Sequence, residues 1–116
     1  MNPTKPSFKE LLKTLGLKAS YEILNLLKDK PKRWSELEKE IGDKQALSYR
    51  IKELLNLGIL ELTILNDTPT GSKAYKLSPL GQKIVRLIEE MQKEFEEWHY
   101  QPESDEEFLE GNWRGD

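Results

Sequence analysis

One position limits the fold of this chain more than any other: Gly58, where the hydrophobic period changes. Before it, "GDKQALSYRIKELLNLG" sets Leu47, Ile51, Leu54 and Leu55 three and four residues apart, which predicts an amphipathic helix over residues 44–57 with Asp43 as its N-cap. After it, "ILELTIL" is rich in β-branched residues and shifts towards a period of two. "NDTPTGS" then has the composition of a hairpin loop, and "KAYKLS" reads as the returning strand. A helix that runs at once into a hairpin must bury its apolar stripe against something that precedes it.

What precedes it is helical. "SFKELLKTLG" opens on a capping box, in which Ser7 accepts from the amide three residues on while Glu10 reaches back, and Gly16 closes it. "KASYEILNLLKDKP" places Tyr21, Ile23, Leu24, Leu26 and Leu27 on a broad apolar face and stops before Pro31. "RWSELEKEIGD" repeats the capping-box pattern with Ser35 and Glu38, carries Trp34, Leu37 and Ile41 at helical spacing, and ends at Gly42. Trp34 sits where a hydrophobic staple packs, so it is expected in the core. Downstream of the hairpin, Ser78 and Pro79 read as N-cap and first residue of a long helix. Its stripe of Leu80, Ile84, Leu87, Ile88, Met91, Phe95 and Trp98 runs well past what a small core needs.

At 116 residues the chain buries only a modest core, so a surplus apolar helix points to a second subunit. The net charge of −3 conceals a division. Residues 1–88 hold 16 Lys/Arg against 10 Asp/Glu, a balance of +6, whereas residues 89–116 hold 2 against 11, a balance of −9. The first part suits a polyanion and the tail does not. Cysteine is absent, which excludes disulfides, thiolate zinc sites and thiol redox sensing, and His99 alone cannot build a metal site. No run reaches the apolar length of a membrane span or of a signal-peptide core, so the chain reads as cytoplasmic. Glu89, Glu90, Glu94, Glu96 and Glu97 read as a solvated helix face rather than a paired acid and base, and no phosphate loop or nucleophile elbow is present. No enzyme activity and no cofactor are expected.

The order is helix, helix, short helix, tight turn, helix, two-stranded hairpin, long helix. That is an α+β, mostly helical winged helix-turn-helix with an extra N-terminal helix and a long C-terminal one. The helix after the turn becomes the recognition helix. At 100° per residue, Gln45, Tyr49, Lys52 and Asn56 point away from its buried stripe, with Ser48 and Arg50 on the flanks. Gln pairs with adenine, Ser and Tyr reach base edges or phosphates, and Arg and Lys neutralise phosphate. Lys30, Lys32 and Arg33 stand where such a motif crosses the DNA backbone.

The runs "RWSELEKEI", "ALSYRIKELLNLGILE" and "Y.LSPLG" occur in this order within residues 19–90 and resemble the HxlR-type winged-helix transcription regulators, with a broader similarity to the ArsR and MarR groups. The resemblance implies a dimeric DNA-binding regulator with Lys44, Gln45, Ser48, Tyr49 and Arg50 on its recognition helix and Asn66 to Lys73 as its wing. Family members that sense electrophiles use a cysteine, and this chain has none. Its wing carries one basic residue, Lys73.

The sequence therefore predicts a DNA-binding and dimerisation domain over residues 1–100 and an acidic tail over 101–116. The expected DNA contacts are Lys44, Gln45, Ser48, Tyr49, Arg50, Lys52, Lys32, Arg33 and Lys73. The expected homodimer interface is Phe8, Leu11, Leu12, Ile84, Leu87, Ile88, Met91, Phe95 and Trp98. The partners are then double-stranded DNA and a second copy, with no membrane and an unknown effector. The alternative is a winged helix used for protein contacts, with only non-specific DNA affinity.

Overall fold

The structure is a computed structural model that describes residues 5–100; the acidic tail at 101–116 lies outside them. Helices α1 (Phe8–Leu15), α2 (Ser20–Leu26), α3 (Trp34–Ile41) and α4 (Lys44–Asn56) are followed by strands β1 (Leu60–Leu65) and β2 (Ser72–Leu77) and by α5 (Pro79–His99). The two strands are antiparallel, with Leu60 opposite Leu77 and Leu65 opposite Ser72. This is the expected winged helix-turn-helix.

The chain divides into two compact units after Val85, inside α5. In the first, Ile23, Leu24 and Leu27 from the α2 region, Leu37 of α3, and Leu47, Ile51 and Leu54 of α4 are buried together with Ile59, Leu60, Ala74, Tyr75 and Leu77 of the hairpin. Each fully buried Leu or Ile stabilises the fold by about 1.5–3 kcal/mol relative to an exposed one. Three of the four residues of the predicted α4 stripe, Leu47, Ile51 and Leu54, are thus at the centre of the core, and the fourth, Leu55, is only half-buried. Trp34 is half-buried and lies against the Tyr75 ring, with centroids 6.4 Å apart.

The helix ends follow local chemistry in three of the four expected caps. Ser7 and Glu10 form the capping box of α1, Asp43 accepts from the Ala46 amide at 3.0 Å, and Ser78 Oγ accepts from the Gly81 amide at 2.9 Å. The exception is α3, which starts one residue before Ser35: Arg33 is its N-cap, and Glu36 rather than Glu38 reaches back to the Arg33 amide at 2.8 Å. The cause is a contact outside the helix. Lys32 pairs with Tyr75 in an isolated antiparallel bridge, its amide 3.0 Å from the Tyr75 carbonyl and the reverse bond 2.8 Å. That bridge holds Lys32 extended and sets the helix start immediately after it. The second expectation to be corrected is in α2, where Tyr21 is exposed and Leu26 only half-buried.

Between α3 and α4 the chain turns in two residues. Gly42 adopts φ +80°, the left-handed conformation that ends a helix at little cost only for glycine, and Asp43 begins the next helix at once. Ala19, at φ 77°, makes the same kind of turn into α2 with a side chain present. A non-glycine residue there costs about 1–2 kcal/mol and persists only where its surroundings over-determine it.

Candidate nucleic-acid interface

Because Leu47, Ile51 and Leu54 face inward, the remaining surface of α4 is determined by geometry: Lys44, Gln45, Ser48, Tyr49, Lys52 and Asn56 are all exposed. The face combines amide, hydroxyl and phenol groups with the ammonium of Lys52, and at its start Lys44 stands 3.8 Å from Glu38 at the surface. Such a mixture presents donors and acceptors for base edges together with charge for phosphates.

Arg50 is the member of the expected α4 set that turns away. Its side chain is only 12% exposed, with Nε 2.8 Å from Glu53 Oε1 and Nη1 3.5 Å from the Lys18 carbonyl. Lys18 in turn reaches Asp43, the N-cap of α4, at 2.8 Å. The turn containing Ala19 is therefore held to α4 at two points, Asp43 and Arg50, which accounts for its unfavourable backbone conformation.

The same contacts shift protonation. The Lys18 ammonium, and after it the Ala46 amide, hold the Asp43 carboxyl below the usual carboxylate range, while Asp43 raises Lys18. Glu36 is lowered chiefly by the Arg33 amide. A depressed carboxylate stabilises the fold above its unfolded pKa, and that contribution disappears as pH falls through the folded value; a raised lysine contributes below its unfolded pKa and loses it as pH rises through the folded one. The Lys18–Asp43 pair is thus fully effective only between about pH 4 and pH 10. Asp43→Asn keeps a capping side chain but removes the charge. It is expected to lower the Tm slightly at pH 7, with the difference from the parent closing below about pH 4. A difference that did not vary with pH would show that the ion pair contributes nothing.

On the backbone-crossing side, Lys30 is exposed, Lys32 is half-buried with its main chain in the bridge to Tyr75, and Arg33 is engaged with the wing loop. The wing loop is residues 66–71, so Lys73 lies not in it but on β2, exposed and opposite Ile64. The engagement of Arg33 with Asp67 and Ser72 and the Lys18–Asp43 pair have no local signal, since the partners lie far apart in sequence.

Of the expected dimer residues in the first unit, Phe8 and Leu12 are exposed and Leu11 and Ile84 half-buried. In the second unit Ile88 is half-buried, Leu87 is exposed, and Met91, Phe95 and Trp98 are 65%, 60% and 67% exposed along one side of α5. Among the described residues no group of acidic, His or Cys side chains could hold a metal ion, and no helix is long and apolar enough to cross a membrane.

Comparison with known proteins gives this arrangement a family. A transcriptional regulator of Bacillus subtilis strain 168, YodB, is 30% identical over 93 residues, which cover 78% of this chain and 82% of that protein. The solved reduced form of YodB superposes with a TM-score of 0.69 at 26% identity, covering 87% of this chain and all of that one. A MarR-family regulator from Enterococcus faecalis V583 shares the fold, with a TM-score of 0.66 at 19% identity over 84% of this chain and 94% of the other. Residues 14–103 match the HxlR-like helix-turn-helix family, and the chain belongs to that family.

Proposed function

We propose that this HxlR-like transcriptional regulator acts in the cytoplasm as a homodimer that recognises a near-palindromic site in duplex DNA. The observation that carries the reading is the exposed α4 face of Gln45, Ser48, Tyr49 and Lys52, set directly after a two-residue turn and before a hairpin. Gln45, Ser48 and Tyr49 read base edges in the major groove. Lys44 and Lys52 neutralise phosphates along the same helix, with Lys32 just before α3 and Lys73 on β2 of the wing holding the flanking backbone. Arg50 serves the same face indirectly, by holding α4 to the turn at Lys18. The dimer is formed by the exposed apolar residues of α1 and by those of α5, where Leu87, Met91, Phe95 and Trp98 are each left more than half exposed in the single chain. With no cysteine, any input signal reaches this chain without thiol chemistry.

The test is a mixed DNA pool titrated at two salt concentrations. Binding is expected to weaken steeply with salt, and selected sequences are expected to share an inverted repeat with half-sites about 34 Å apart. No binding at low salt would defeat the proposal. Gln45→Ala is expected to cost about 1–3 kcal/mol on the selected sequence and to flatten preference at particular base pairs. Equal weakening on every sequence would remove Gln45 from the reading face.

A further inference from the structure

The arginine expected to hold a phosphate is closed into the protein. Arg33 Nε donates to Ser72 Oγ at 3.0 Å, its Nη2 forms an ion pair with Asp67 of the wing loop, and its Nη1 lies 3.8 Å from Glu36 Oε1. Ser72 Oγ in turn donates to Asp67 Oδ1 at 3.2 Å. One guanidinium thus gathers the start of α3, the wing loop and the first residue of β2, beside the Lys32–Tyr75 bridge. Its side chain is 30% exposed. The Nε and Nη2 donors of the fork are committed to acceptors within the protein, which leaves it poorly placed to hold a phosphate, and its planar shape suits several fixed acceptors at once.

We infer that Arg33 is a positioning residue: together with Asp67 and Ser72 it braces the wing loop against α3 and so sets where the wing meets DNA, without itself touching a phosphate. The inference rests on the DNA-binding reading above. It predicts that Asp67, an acidic residue in a DNA-facing loop, favours binding, although its charge alone would oppose it.

The experiment measures binding of the full chain and of Arg33→Met, Asp67→Asn and the double variant to two duplexes. One carries the selected site with its flanks and the other is trimmed to the base pairs under the recognition helices. Methionine keeps most of the apolar stem of arginine and removes the fork. Each single variant is expected to bind the long duplex more weakly by on the order of tenfold, to bind the short one about as the parent does, and to be no better than the double variant. If Arg33 instead held a phosphate in competition with Asp67, Asp67→Asn would tighten binding and Arg33→Met would lower the salt dependence on both duplexes; either result overturns the brace. A parent that bound neither duplex would defeat the DNA reading, and the brace would then be decided by hydrogen exchange in the free protein. Both single variants are expected to accelerate exchange of the amides at 66–72, and unchanged exchange overturns it.

Discussion

Gly81→Ala is expected to lower the midpoint of thermal unfolding by more than about 10 °C, at roughly 4–8 °C per kcal/mol for a domain of this size. In an exposed helix the same change is favourable by about 1 kcal/mol, so the sign itself is informative. A Cβ on Gly81 would stand 2.1 Å from the Ile59 carbonyl oxygen, 3.1 Å from its carbonyl carbon and 3.3 Å from its Cγ2. The obstacle cannot swing aside. The Ile59 carbonyl accepts from the Ser78 amide at 2.9 Å and from Ser78 Oγ at 3.1 Å, and Ser78 Oγ also reaches the Gly58 carbonyl and caps α5. Relieving the overlap means moving the first turn of α5 off the strand entry, an overpacking penalty of about 3 kcal/mol. Gly42→Ala is the control: its Cβ would meet nothing within 4 Å, and only the φ of +80° is unfavourable, a cost of about 1–2 kcal/mol. If Gly81→Ala were as stable as the parent, the seating of α5 on Ile59 would be wrong.

If the proposed homodimer forms through α5, placing two glutamates on its exposed side, Met91→Glu with Phe95→Glu, is expected to leave the protein monomeric and to weaken binding to an inverted repeat by on the order of 100-fold or more. Both side chains are mostly exposed in the single chain, so their replacement should cost little folding stability. In a two-fold interface each substitution meets its own copy or a neighbour of it, which adds like-charge repulsion to the lost apolar burial. Sedimentation equilibrium reads the mass and circular dichroism checks the fold. A variant that folds and remains dimeric would place the interface elsewhere.

What could be read in the sequence was local. The caps at Ser7, Asp43 and Ser78 and the turn at Gly42 each depend on atoms within three or four residues, and each is where the pattern put it. The buried stripe of α4 was equally plain, because a period of 3.6 ending at Gly58 leaves one assignment. The errors came from contacts across the fold. Ser35 and Glu38 have the form of a capping box, yet the bridge between Lys32 and Tyr75 starts α3 at Trp34, so Arg33 and Glu36 take those places. The helical angle of Arg50 put it on the flank of the DNA-facing side. Its guanidinium is drawn in by Glu53 and by the carbonyl of Lys18, the second of which no reading of α4 alone contains. The same reason hid the partners of Arg33.

The bridge between Lys32 and Tyr75 also ranks the parts of the molecule by age in folding. A two-stranded hairpin is marginal in water by itself, and joining it to Lys32 closes a loop of about forty residues, an entropic cost that must be met before any reward arrives. The helices on either side of the turn at Gly42 need no such closure to begin packing on one another. On loop entropy, the wing is expected to form after the helical core. The row of β2 that carries Ala74 and Tyr75 is buried and joined to Lys32, so a change there reaches the helical core, whereas an exposed residue of the wing loop such as Thr68 or Thr70 touches the solvent side alone.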